Sequence, residues 1–113
     1  MIKIYHNSRC SKSRCGLQLL ENSNKDFEII KYLETPPSIK ELANIIKLLG
    51  VAPIDLIRKN ETIWKDNYKG HEFSDTELIE IMVKNPKLIE RPIVINGSKA
   101  VIGRPPEIIL NIL

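Results

Sequence analysis

Ile2-Lys3-Ile4-Tyr5 alternates apolar and polar positions and is rich in strand formers, which predicts a first strand. A polar stretch, His6-Asn7-Ser8-Arg9-Cys10, follows it. Leu17, Leu19 and Leu20 then predict a helix from about Ser11 to Glu21, stopped by Asn22-Ser23-Asn24. Phe27 to Leu33 reads as a second strand, bounded by Thr35-Pro36-Pro37. Two strands separated by one helix, within about thirty residues, predict a right-handed β-α-β unit with parallel strands.

The middle of the chain changes period. Ser38 and Glu41 form a capping-box signature, and Ile39, Leu42, Ile46 and Leu49 follow at helical spacing up to Gly50. Val51 to Lys59 reads as a short helix or turn. Ser74 and Glu77 repeat the capping box ahead of Leu78, Ile81 and Met82, and Pro86 ends that helix. No strand pattern occurs between Thr35 and Glu90, so this part is read as a helical insertion. Strands return in Pro92-Ile93-Val94-Ile95 and Lys99-Ala100-Val101-Ile102. They flank Asn96-Gly97, a strong hairpin signal. Arg104-Pro105-Pro106-Glu107 opens a last helix, with proline in its first turn. The order is β-α-β, helical insertion, β-β-α, an α/β domain with a mixed sheet. One domain is expected over 1–113, its sheet-bearing parts at 1–34 and 88–113 and its insertion at 35–87.

Composition narrows the classes. The chain has 113 residues, 42% of them hydrophobic and 27% charged, with a net charge of +3. These are ordinary values for a soluble domain. No apolar run approaches the ~20 residues that cross a bilayer, and the opening residues carry no basic region followed by an apolar core. A cytoplasmic protein without membrane contact is expected. Lys and Arg are spread along the chain with Asp or Glu nearby, and no basic stripe with interleaved aromatics marks a nucleic-acid surface. A monomer is expected, because no long apolar stripe is left over once the core is assigned. The two cysteines, Cys10 and Cys15, cannot make a four-ligand zinc site unaided. His71 has no obvious metal partner. No metal site and no tightly bound cofactor are expected. Trp64 and Tyr68 read as cover for the core edge, and Lys65, Asp66 and Lys69 as a solvated face.

Chemistry centres on Cys10. A thiol attacks as thiolate, and a free cysteine with pKa ~8.5 is mostly protonated at neutral pH. Cys10 is placed where a strand ends and a helix begins, so helix N–H groups point towards its sulfur. Arg9, Lys12 and Arg14 surround it with positive charge. His6 offers a further cation or a hydrogen bond, and Ser11 and Ser13 offer hydroxyls to sulfur or to a bound anion. The same geometry binds oxyanions, through helix N–H groups and the bidentate fork of arginine. Cysteine is often merely a small buried hydrophobe, but Arg9, Ser11 and Lys12 are not a core environment. Cys15, inside the predicted helix beside Gly16 and Leu17, reads first as a packing residue; the other reading is a resolving thiol for Cys10. The phosphate loop of tyrosine phosphatases needs an arginine six places after its cysteine; that place holds Gly16, and Arg14 comes too early.

The segment Ile4-Tyr5-His6-Asn7-Ser8-Arg9-Cys10-Ser11-Lys12-Ser13-Arg14 resembles the active-site segment of the glutaredoxin-linked arsenate reductase family. Tyr32 to Ser38, Leu56 to Asn60, Glu90 to Val94 and Gly103 to Glu107 are similar to further segments of that family, in order. The resemblance implies a thioredoxin-like (glutaredoxin-like) fold with a helical insertion. It implies a cis peptide before Pro92, opening the backbone to a thiol substrate; the plain alternative is an ordinary strand start. It also implies a reaction. Cys10 attacks arsenate to give a covalent adduct, glutathione captures the arsenic, and glutaredoxin reduces the mixed disulfide to release arsenite. Arg58, Arg91 and Arg104, with Ser13, would hold the oxyanion, and His6 would help to keep Cys10 ionised. Glutathione is then a co-substrate and glutaredoxin the electron donor.

The sequence departs from the better-known members of the family at Cys15, which has no counterpart there, and in length. Those carry an extra C-terminal tail, whereas this sequence stops at Leu113, after the last predicted helix. Short relatives include thiol reductases and a redox-responsive regulator that contacts RNA polymerase without reductase turnover. Those regulators have a second cysteine three places after the first, where this chain has Ser13. The arginine trio favours the reductase, because a regulator has no need of an oxyanion clamp.

Overall fold

A computed structural model describes all residues from 1 to 113. Its elements are β1 (Ile2–Tyr5), α1 (Ser11–Asn22), β2 (Phe27–Ile30), α2 (Ile39–Leu49), α3 (Thr62–Asn67), α4 (Asp75–Lys84), β3 (Ile93–Asn96) and β4 (Lys99–Ile102). Short 3₁₀ helices cover Pro53–Leu56, Pro86–Leu88 and Pro106–Ile112. No helix is long and apolar enough to cross a membrane.

The chain forms two compact units, one made of Met1–Thr35 with Arg91–Leu113 and the other of Pro36–Glu90. The first holds a four-stranded sheet of order β2-β1-β3-β4. β1 pairs with β2 in parallel and with β3 antiparallel, and β3 and β4 form an antiparallel hairpin. This is the mixed sheet that the order of elements predicts and the thioredoxin-like arrangement that the resemblance implies. Alternation in β1 turns Ile2 and Ile4 inward and Lys3 outward. Leu20 of α1, Val94 of β3 and Ile109 and Ile112 of the last helix close the core over them.

Several elements depart from the sequence pattern, each for a physical reason. β2 ends at Ile30 rather than Leu33, because Lys31–Thr35 turns: the Glu34 and Thr35 amides both donate to the Lys31 carbonyl, at 3.0 and 2.9 Å. The hairpin loop is Gly97-Ser98, since Asn96 pairs with Lys99. Positive φ falls on Gly97 alone (64°), the pattern of a II′ turn. Asn96 instead donates from Nδ2 to the Ile112 carbonyl at 2.6 Å and ties down the chain's last turn. The terminal helix is 3₁₀, a geometry that stacks residues three apart on one face; Ile109 and Ile112, both buried, use that spacing.

The second unit packs α2 and α4 through Leu42, Ile45, Ile46, Leu78, Ile81 and Met82, all buried. Ser38 accepts from the Glu41 amide at 3.0 Å. Ser74 and Glu77 exchange both bonds of a capping box, at 2.9 and 3.2 Å. Helix α3 falls where no helix was expected, and its Trp64 is buried, its ring tilted against those of Tyr68 and Phe73 at centroid distances of 5.8 and 6.2 Å. One isolated antiparallel bridge, Ile57 to Ile89, lies where no strand pattern showed.

The buried face of α1 is Ser13, Gly16 and Leu20, at spacings of three and four; of the leucines that announced the helix only Leu20 is fully buried, with Leu17 packed partly against the core. Small residues there let the helix approach Pro92. A Cβ on Gly16 would stand 3.0 Å from Pro92 Cγ, and one on Gly103 would stand 2.9 Å from both Pro92 Cγ and Ile109 Cδ1. Neither a proline ring nor a packed isoleucine yields easily, and overpacking of this kind costs about 1–3 kcal/mol. Gly103→Ala should therefore lower the unfolding free energy by that amount in urea titrations. Ser98→Ala, at the exposed hairpin loop, should change it by less than about 0.5 kcal/mol. Equal stability of the two variants would show that the contact yields.

Candidate active site

Cys10 is the N-cap residue of α1, with extended backbone angles (φ −97°, ψ 123°), and its carbonyl accepts the first helical bond from Arg14 N at 3.0 Å. The loop before it is wound by local polar bonds. The Asn7 side chain accepts from the Arg9 amide at 3.0 Å, and the Asn7 carbonyl accepts from the Cys10 amide at 3.1 Å. Such turns are what asparagine favours. Sulfur thus occupies the place where a serine or aspartate oxygen would cap the helix. No formal side-chain cap bond forms at Cys10, yet the Ser13 and Lys12 amides face the sulfur and favour its thiolate.

Two of the three arginines meet that sulfur. Arg104 Nη2 lies 3.5 Å from Cys10 Sγ, while Arg104 Nε donates to the Arg91 carbonyl at 2.8 Å. Arg91 adds its own hydrogen bond and positive charge at the thiol. Partial burial pushes the Cys10 pKa up, but the Ser13 amide, Arg91 and the Lys12 amide outweigh it, and the thiol ionises below its ordinary range. Arg58 belongs to the second unit, where its guanidinium pairs with Glu61 and Glu90, each at 3.5 Å.

Of the two readings of His6, a cation or a hydrogen bond, the geometry favours the second, and Ser13 uses its hydroxyl within the protein. His6 is buried, and its Nδ1 is 2.7 Å from Ser13 Oγ. Burial, followed by the positive charges of Arg14 and Lys31, pushes the imidazole below its ordinary pKa. His6 is therefore neutral at pH 7 and contributes a hydrogen bond, not a cation. Ser13 is fully buried, and its hydroxyl also accepts from the Asn7 amide at 3.0 Å. That hydroxyl is used inside the protein; what Ser13 presents to the reacting centre is its backbone N–H.

The remaining candidates are equally legible. Arg14 donates to the Ser8 carbonyl at 2.9 Å from an exposed position, and Arg9 and Lys12 are exposed. The peptide bond before Pro92 is cis, the geometry the resemblance implied, and so is the bond before Pro105. Pro92 itself is buried, and its carbonyl accepts from the Gly103 amide at 2.8 Å. At most one lone pair of that carbonyl is left for a thiol substrate. Cys15 is exposed, which corrects its reading as a packing residue, and both thiols are free. Ideal helix geometry separates Cα atoms five residues apart by roughly 8–9 Å, beyond the ~7 Å that a disulfide spans. Pairing Cys15 with Cys10 would require the first turn of α1 to unwind. No group of three His, Cys, Asp or Glu side chains converges on a metal-sized site.

The profile of the ArsC family matches residues 5–112. An arsenate reductase of Haemophilus influenzae is 46% identical over 112 residues, covering 97% of each chain. An arsenate reductase of Escherichia coli strain K12 is 40% identical over 113 residues, which span 99% of this chain and 80% of that protein. The solved arsenate reductase from Vibrio cholerae is similar with a TM-score of 0.93 at 46% identity, over 99% of this chain and 97% of that one.

Two pH dependences follow from the geometry. In Cys15→Ser protein, alkylation by iodoacetamide should follow a single ionisation with its midpoint below the ~8.5 of a free thiol, and Arg91→Ala should raise that midpoint. A midpoint at or above 8.5 in the intact loop would contradict the thiolate assignment. The His6 imidazole should titrate below 6.5 by NMR. Because its folded pKa lies under its unfolded one, the unfolded chain takes the proton first as pH falls. Stability should thus decline from about pH 6.5 downwards, and His6→Gln should lack that part of the slope.

Proposed function

The chain belongs to the ArsC family, and on that premise we propose that it is an oxidoreductase that reduces arsenate to arsenite with Cys10 as nucleophile. The observation that carries the reading is the pair of guanidinium groups, Arg91 and Arg104, gathered on the sulfur of the residue at a helix N-cap. A thiolate repels an anionic substrate, and only fixed positive charge at the same point lets the two approach. Arginine suits this task, since its planar fork matches two oxygens of a tetrahedral oxyanion.

The sequence of steps conserves atoms and electrons. The Cys10 thiolate displaces an oxygen from arsenic(V), forming an S–As bond and releasing water after protonation. A glutathione thiolate then displaces a second oxygen from arsenic, again lost as water, and forms a second S–As bond. A thiolate of glutaredoxin attacks the glutathione sulfur; that S–As bond breaks, its electron pair stays on arsenic, now arsenic(III), and glutathione leaves in a mixed disulfide with glutaredoxin. Water replaces Cys10 on arsenic(III), releasing arsenite and returning Cys10 to the thiol. Two thiols thus supply the two electrons, and glutathione serves as co-substrate with no bound cofactor. Arg58 is the third cation that the resemblance assigns to the oxyanion. His6 acts through Ser13: by fixing that residue, it keeps the Ser13 amide aimed at sulfur.

Arsenate-dependent NADPH oxidation, coupled through glutathione, glutaredoxin and glutathione reductase, tests the proposal. Wild-type protein should turn over and Cys10→Ser should not. Arg91→Ala and Arg104→Ala should each lose about 10²–10³-fold in kcat, the usual cost of a donor that stabilises developing charge. Undiminished turnover in Cys10→Ser, or none in the wild type, would sink the assignment.

A further inference from the structure

Opposite the arginines, the Cys10 loop borders a second feature that the oxyanion chemistry does not use. The parallel pairing of β1 with β2 ends at Tyr5 and Ile30, and the His6 amide donates to the Ile30 carbonyl at 2.9 Å. Beyond that bond the two segments diverge, one into the Cys10 loop and the other into the Lys31–Thr35 turn. Between them lies a half-open cavity of about 290 Å³, walled by His6 and Arg9 on one side and by Lys31, Leu33 and Glu34 on the other. Crevices at the carboxyl ends of parallel strands are the usual ligand positions of open α/β sheets.

The charges in this cavity have both signs. Arg9 and Lys31 are cationic and Glu34 is anionic, and the ion pairs of the protein involve none of the three. Lys31 lines the same cavity as His6, and its charge helps to lower the pKa of that ring. A simple oxyanion would meet repulsion from Glu34, and an apolar group would strand all three charges. An amino-acid terminus, with a carboxylate and an ammonium on one carbon, satisfies both signs together. Reach also fits: in a γ-glutamyl-cysteinyl thiol the sulfur lies about two residue lengths, roughly 7 Å, from that terminus. Cys10 follows Ser8, another residue of the cavity wall, by two positions.

We propose that this cavity docks the α-amino-acid terminus of the thiol reductant, a γ-glutamyl thiol of the glutathione type. Lys31 and Arg9 take its carboxylate and Glu34 its ammonium. Arsenate is left to the arginines on the other flank of the loop, so the oxyanion and the γ-glutamyl end of the reductant are held on two sides of Cys10. This assignment rests on the reading of Cys10 as the nucleophile of a thiol-dependent reduction.

S-methylglutathione, which binds without reacting, separates the two claims. Titrated into ¹⁵N-labelled protein, it should shift the amides of Asn7, Ser8, Leu33 and Glu34. Lys31→Ala and Glu34→Gln, both at exposed positions, should each weaken its binding about fivefold. In turnover, Lys31→Ala should raise the KM for glutathione without raising that for arsenate. Absence of binding, shifts confined to the surroundings of Arg91 and Arg104, or unchanged affinity in both variants would overturn the proposal. A protein that binds S-methylglutathione in this cavity yet never reduces arsenate would refute the proposed reaction and leave the subsite standing.

Discussion

Pro92 is held between two glycines, and the position of the reactive loop depends on that contact. Its ring packs where side chains on Gly16 and Gly103 would otherwise stand, and its carbonyl receives the Gly103 amide. Each partner adjoins a piece of the chemistry. Arg91 precedes Pro92, Arg104 follows Gly103, and Gly16 lies in the second turn of the helix that Cys10 caps. Close packing of three residues with no catalytic groups of their own therefore brings two guanidinium groups to one thiol. Interiors packed at crystal-like density transmit such placement with little slack, and slack would matter, because Arg104 already stands 3.5 Å from sulfur.

The electrostatics of the loop divide between fixed and conditional charge. Arginine cannot lose its proton in this setting, so the field at Cys10 from Arg91 and Arg104 does not vary with pH. A protonated His6 would have added a charge that disappears near neutrality. Burial removes that option and turns the imidazole into a hydrogen-bonding partner of Ser13. The arrangement trades one more cation for a rigid path, from a buried ring through a buried hydroxyl to an amide that faces the sulfur. Buried polar chains of this kind hold a geometry well only when each member is satisfied, and Ser13 meets that condition with both His6 and Asn7.

How much of this was legible in the sequence depended on whether the signal was local. Alternation in Ile2–Tyr5, the Ser74 capping box and the hairpin glycine are written within a few residues, and those elements are found. The leucines of α1 announced a helix and, in Leu20, one of its buried positions, but not Ser13, which is buried on His6, nor Gly16, which is buried against Pro92 and Ile109, far away in sequence. The fate of Cys15 was hidden for the same reason. Which side of a helix meets the sheet is decided by partners such as Pro92 and Ile109, not by neighbours in the chain. Helix α3 lacked any cap signature, since Glu61 at its N-cap makes no side-chain cap bond. Cys10 was legible from its basic neighbours and its place between a strand and a helix, Arg91 and Arg104 from the resemblance, and their convergence only from the fold. Lys31 and Glu34 carried no motif, because a cavity between diverging strands leaves no spacing rule behind.

A site that must bring an oxidised anion and a reducing thiol together faces a problem of crowding as well as of charge. Were both partners drawn to the same cations, the dianion would compete with the carboxylates of the reductant and each would inhibit the other. The sheet offers a way out, because β1 has a different neighbour on each side, β3 antiparallel and β2 parallel. Antiparallel pairing returns Arg91 and, through the hairpin, Arg104 to the β3 flank of the loop. Parallel pairing on the other flank sends two chains out in the same direction and leaves the cavity of Lys31 and Glu34 between them. The mixed sheet thus does more than support Cys10: its two kinds of pairing build two chemically different approaches to one sulfur, one purely cationic and one of both signs.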